Sequence, residues 1–187
     1  MVGAGDLRDS PDAAADEDFR AYFQREYIDA GIVIDREIAG GIHCMAPRFL
    51  ADQLARSRAN LGLETIDLMY LHNAVESQMP LVGREVFMSK LRAAFEFYEK
   101  ARAEGRIRAY GLATWSCFRV PTEQDDQYLS LEGVVKLARE VGGEDHVDAP
   151  GGLERPHVQV VPQGADLVDS DHLAQRLEQV EVRVGAV

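Results

Sequence analysis

The chain has 187 residues, 46% of them hydrophobic, with 20 basic against 32 acidic side chains and a formal net charge of -12. That length can bury one substantial core and favours one domain over two. The acidic balance, with no basic patch, excludes nucleic acid and an acidic membrane face as expected partners, because such surfaces need concentrated positive charge.

Residues 1–17 are small, acidic and interrupted by Pro11, and read as a loose, flexible leader. From Asp18 the pattern changes: "DFRAYFQREYIDAG" sets Phe19, Tyr22, Phe23 and Tyr27 on one helical stripe, with Gly31 as its stop. "IVIDREIAGGIHCMA" then mixes branched apolar residues with a Gly40-Gly41 turn, and Pro47 opens a helix, where its missing amide hydrogen is harmless. That helix, "PRFLADQLARSRANLG", has Phe49, Leu50, Leu54 and Leu61 on its apolar face and Gly62 at its end.

Ile66 to Leu71 reads as a buried strand. A loop through Pro80 leads to "EVFMSKLRAAFEFYEKARAEG", a long amphipathic helix with Leu91, Phe95 and Tyr98 near one face and Gly105 as its end. "RIRAYGLATW" is the next strand; the polar loop "PTEQDDQY", the helix "SLEGVVKLAREVGG" and a short strand "HVQVV" follow. Strands alternating with covering helices are βα repeats of parallel-sheet character. Beyond Pro162, a helix over 170–179 and the alternating "VEVRV" have no assigned place in the sheet. The expected plan is a leader over 1–17, an α/β domain over 18–162, and a C-terminal extension over 163–187 that caps an edge or meets a second subunit.

Cys44 and Cys117 are too few and too far apart for a disulfide framework and form no CxxC pair, so reduced thiols are expected. A positive flank with an apolar signal core is lacking, and nowhere do 18 apolar residues run together. A cytoplasmic protein without membrane spans is the expectation.

"LADQLARSRANLGLETIDLMYLHN" resembles the helix and strand that carry the active-site histidine of aldo-keto reductases. "FYEKARAEGRIRAYGLATWS" resembles the next helix and strand of that family, and "HVQVV" its strand with a glutamine facing the nicotinamide. "GIHCMAPRF" is similar to a branch with a His-Cys-Met-Ala-Pro segment; the matches run from Pro47 to Pro162. The resemblance implies a TIM-type (β/α) barrel, here partial, that binds NADPH and reduces aldehydes or ketones with a Tyr-Lys-His-Asp group.

Carried over by position, the family histidine falls on His72, the Ser-Asn pair that holds the nicotinamide amide falls on Ala113-Thr114, its glutamine on Gln159, and a common aromatic on Trp115. No counterpart of the catalytic Asp, Tyr and Lys is found, since Tyr22, Tyr27 and Lys90 sit in no matching motif. The cofactor-clasping elements after Pro162 also lack a match, and the chain reads as a truncated central portion of the barrel.

By its own chemistry, His72 ends a strand where barrel active sites assemble, on the Tyr70 side of the alternation. It can move a proton near neutrality, or it is a structural histidine in a shrunken pocket. Asn73, Thr114, Trp115 and Tyr70 join it as pocket candidates, Trp115 standing equally as core and Tyr70 inclining to packing. His43, beside Cys44, could point to the same region, although packing or a loop hydrogen bond is its commoner use. Asp67 starts the strand and belongs to the opposite, stability-bearing end. The five histidines are scattered, with no metal-ligand motif, and no glycine pattern makes a phosphate loop.

Three functions follow as expectations. The favoured one is a non-redox enzyme, with no cofactor, that uses His72 in a repurposed pocket to cyclise, dehydrate or isomerise a small organic biosynthetic intermediate. The second is an NADPH-dependent carbonyl reductase with a rebuilt site, and the third a non-catalytic binding or assembly protein. Strand edges left open by a partial barrel predict a homodimer, with "VEVRV" and the N-terminal helix as edge protectors.

Overall fold

The computed structural model describes residues 2–4, 19–40, 43–118, 120, 126–143 and 158–162. Its centre is a sheet of β1 (Val2–Ala4), β2 (Ile66–His72), β3 (Ile107–Thr114) and β4 (Val158–Pro162), hydrogen-bonded in chain order and parallel throughout. Sequential parallel order belongs to (β/α) barrels, whereas a doubly wound sheet reverses its order partway. The expected partial (β/α)-barrel class is thus met by four described strands, half the eight of a closed barrel.

The register sets Tyr70 opposite Gly111 and His72 opposite Ala113 across β2 and β3, and Gly111 opposite Gln159 across β3 and β4. Alternation along the strands then sorts the side chains. Met69, Leu71, Tyr110 and Leu112 join the main core with the helices, while Leu68, Tyr70 and Ala113 form a small cluster of their own.

The helix over Phe19–Phe23 (α1) continues as a π-helix over Gln24–Asp29. Tyr27 on it packs against Phe49 of α2 (Pro47–Leu61), with ring centroids 5.9 Å apart, and accepts a hydrogen bond from Gln53. This segment therefore covers a helix, which departs from its expected role as an edge protector. A 3-10 turn at Asp35–Glu37 leads to an antiparallel bridge between Ala39 and His43, and Gly40 turns it with φ of 59°. Gly62, at φ of 66°, closes α2: its N–H donates to Ala59, and that of Leu63 donates back to Arg58.

α4 (Arg84–Ala103) packs against β3 and against α2, α3 and α5, and buries Phe87, Leu91, Phe95 and Tyr98. Tyr110 stacks on Tyr98 and donates its hydroxyl to Glu99, and burial beside that carboxylate pushes its ionisation well up. α5 (Leu131–Gly142) starts where the Ser130 hydroxyl accepts from the Gly133 N–H, and packs Val134, Leu137 and Ala138 inward.

Several sequence expectations are corrected. Val2–Ala4, assigned to the leader, pairs with β2 as a strand. Leu61, placed on the apolar face of α2, is exposed, because the helix ends before that turn reaches the core. The last strand runs one residue later than "HVQVV". The loop expected through Pro80 is the helix α3 (Ala74–Val82). Proline removes one N–H donor from its last turn, but Ala74, Val75 and Met79 bury their side chains and Gly83 still donates to Met79. The segment 163–187, with its helix and "VEVRV", lies outside the described residues, as does most of the leader.

Candidate functional site

β2 passes into α3 through a single residue. Asn73 takes the left-handed conformation, φ 48° and ψ 28°, which asparagine tolerates better than most residues, and its N–H donates to the Ala113 carbonyl at 2.7 Å. That turn fixes the end of β2 against β3. His72, half-buried, is the last residue of the strand and lies by alternation on the side of Tyr70, the side expected from sequence. The Tyr70 ring is buried, which raises the ionisation of its phenol and keeps it a neutral donor at physiological pH.

A chain of polar groups lies behind the strand end. The His72 carbonyl accepts from His43 Nε2 at 2.8 Å, His43 Nδ1 accepts from the Gln78 amide at 2.9 Å, and Gln78 Oε1 accepts from Lys90 Nζ at 3.0 Å. Gln78 is completely buried and His43 is 3% exposed. His43 thus holds the peptide of the strand end through one ring nitrogen and α3 through the other, with neither open to a ligand. Burial pushes the thiol of its neighbour Cys44 up to about 11, which makes Cys44 a poor nucleophile at neutral pH.

A second polar group closes the end of β3. Glu76 Oε1 accepts from the successive N–H groups of Trp115, Ser116 and Cys117, at 2.9, 3.0 and 3.4 Å. This concave set of backbone donors is a ready seat for a carboxylate. Glu76 Oε2 and Asn73 Oδ1, both at the start of α3, are buried acceptors without a hydrogen-bond partner.

The sequence candidates therefore divide. His72, Asn73, Thr114 and Trp115 come together at the ends of neighbouring strands. Thr114 is 2% exposed, whereas Trp115 is 48% exposed and so forms no part of the core. Gln159 lies in β4 opposite Gly111 by backbone register, three residues before the ends of β3 and β4. Asp67 lies at the far end of β2, exposed and paired with Arg108.

Glu76, Gln78 and Lys90 were not singled out as site residues from sequence. Gln78 carried a signal: with Ala74, Val75 and Met79 it occupies one helical stripe, where a polar residue has to find a buried partner. Reading 73–82 as a loop hid that stripe.

The Aldo/keto reductase family model matches residues 33–123. A D-threo-aldose 1-dehydrogenase from a Pseudomonas species is 38% identical over 61 residues, 33% of this chain and 16% of that enzyme. A solved aldo-keto reductase of Bombyx mori, in complex with NADP, overlaps loosely: 15% identity and a TM-score of 0.42 over 99% of this chain and 60% of its own. The chain thus covers less than two thirds of either relative. Among the described residues no three His, Cys, Asp or Glu side chains gather into a metal site, and no helix is long and apolar enough to cross a membrane. The match to the aldo/keto reductase family model, over residues 33–123, takes in β2, β3 and His72.

Proposed function

We propose that the chain works as a nicotinamide-dependent oxidoreductase on the carbonyl–alcohol pair of a small organic substrate, with His72 holding the substrate oxygen. The observation that carries this reading is His72 at the C-terminal end of a parallel strand, within the segment that matches the family. The activity in the name of the Pseudomonas relative, an aldose dehydrogenase, supports the redox reading over the non-redox one favoured by sequence alone.

The residues present fit the nicotinamide amide at one contact in place of the family's pair. Ala113, at the family's serine position, has only a methyl group to offer, and the Thr114 side chain is almost wholly buried. Asn73 Oδ1, buried and unpartnered beside His72, is an acceptor suited to the amide NH2, and the dinucleotide, when bound, supplies the two electrons of the reduction. The work of this chain's own residues is to orient the substrate. The half-buried His72 ring donates a hydrogen bond or a proton to the carbonyl oxygen, a contribution of about 100- to 10,000-fold in rate for a positioned acid.

Trp115, the sole tryptophan, reports on the strand ends. Under this reading NADPH quenches its fluorescence saturably, and His72→Gln abolishes reduction of para-nitrobenzaldehyde while leaving that quenching intact. Equal turnover by His72→Gln and the parent chain would sink the assignment. The second reading, cofactor-free proton-transfer catalysis of a cyclisation, dehydration or isomerisation, is favoured by the methyl group of Ala113 where the family has a hydroxyl; absence of quenching by NADPH together with His72-dependent turnover would support it.

A further inference from the structure

We propose that His43, Gln78 and Lys90 are positioning residues for His72, and that Lys90, acting through the Gln78 amide, holds His43 as the neutral tautomer with its proton on Nε2. The argument begins at the strand end. The His72 carbonyl oxygen has no proton to give, so the 2.8 Å contact requires His43 Nε2 to carry one. In the neutral ring Nδ1 is then an acceptor, and the Gln78 NH2 group, 2.9 Å away, fills it.

An amide can be turned end for end, and its orientation has to be read from its partners. Here Lys90 decides, because an ammonium group has only donors and its Nζ lies 3.0 Å from Gln78 Oε1. Turning the amide would set NH2 against the ammonium and oxygen against a bare ring nitrogen. The Gln78 amide and the His43 ring are buried, Lys90 is half-buried, and each buried group left unpaired costs about 1–3 kcal/mol, so the three bonds select one arrangement together.

The same bonds oppose an imidazolium. A proton on Nδ1 would face the amide NH2, and the Lys90 charge blocks the turn that would relieve it. Lys90 reaches the site from α4, while Glu37 of the 3-10 turn and Arg48 of α2 act with Lys90 on the adjacent Cys44. The His72 peptide is thereby gripped between two neighbours, by His43 at its carbonyl and by the Asn73 N–H bond to Ala113. The ring leaves a fixed backbone. Its effect on turnover rests on the oxidoreductase reading above; the tautomer of His43 does not.

The test is imidazole nitrogen NMR on the full chain, with His43 assigned by its loss in His43→Asn. The parent chain is expected to show a neutral Nε2–H ring for His43 between about pH 5 and 8. Gln78→Glu places a carboxylate between Lys90 and the ring and should yield an imidazolium at neutral pH. Lys90→Met frees the amide and should bring His43 titration into that window, which keeps the proposal testable if Gln78→Glu does not fold by circular dichroism. A parent His43 with its proton on Nδ1, or a tautomer and titration unchanged in Lys90→Met, overturns the proposal.

For the positioning role, Lys90→Met is expected to lower kcat for para-nitrobenzaldehyde about tenfold to a hundredfold, with KM changed by less than about threefold. An unchanged kcat in a variant whose His43 has lost its tautomer overturns that role. If the parent chain turns over no aldehyde, the oxidoreductase reading falls, and the tautomer still decides the rest.

Discussion

The two ends of β2 contain similar residue types and use them in opposite ways. At the start of the strand, Asp67 and Arg108 pair in the open, with side chains 78% and 62% exposed. At its end, His43 and Gln78 are buried, Lys90 reaches in from α4, and a carboxylate collects three backbone N–H groups. Water can replace any partner lost at the first end, and it cannot readily do so at the second. The lesson is that polar cost is concentrated at the end of the strand where His72 emerges, as expected when geometry there has to be held to a fraction of an ångström.

Removing the hub of the buried end should have the largest effect on stability. Gln78→Ala strands His43 Nδ1 and the Lys90 ammonium and leaves a void, so urea denaturation should show a loss of about 2–5 kcal/mol. A loss below about 1 kcal/mol would mean that water substitutes for the amide and that the two ends do not differ. Next comes the alkaline limb at Cys44. The folded thiol ionises at about 11 against an ordinary value of 9.0, so the folded chain keeps a proton that the unfolded chain releases. Its contribution to stability is therefore intact below the unfolded value and falls by at most about 1.4 kcal/mol per pH unit as pH rises between the two. Cys44→Ala should flatten that part of the stability–pH curve.

Glu76→Gln keeps an oxygen for the N–H groups of 115–117 but removes the charge that strengthens those bonds. A loss of about 1 kcal/mol is expected by thermal or urea melting, together with a shift in Trp115 fluorescence, because its N–H is one of the three donors. The smallest effect belongs to the open end. Asp67→Asn should change stability by less than about 1 kcal/mol, and any change should vanish as salt is raised. An Asp67→Asn loss as large as that of Gln78→Ala would erase the contrast.

Much of this arrangement is legible in the residues. The apolar run from Ile66 to Leu71, the helix-opening Pro47, the Gly62 and Gly105 stops and the Leu91, Phe95 and Tyr98 stripe state local preferences that packing then reinforces. His72 could be placed at a strand end because period-two alternation and the following Asn73 both mark it. Pro80 misled, since a proline in the last helical turn costs one donor and the buried face of α3 outweighs that loss. The polar chain behind His72 was beyond reach: it joins residues 43, 72, 78 and 90, four positions on separate elements whose meeting depends on how the elements pack. Nor does residue type mark Glu76, because its partners are backbone groups of a turn forty residues away.

The central claim, that His72 stands in a nicotinamide-dependent site, is tested most directly by titrating the full chain with NADPH while following Trp115. Saturable quenching that survives His72→Gln, together with loss of para-nitrobenzaldehyde reduction in that variant, is the predicted result. An unquenched Trp115 at saturating NADPH, confirmed by the absence of heat in calorimetry, would contradict it.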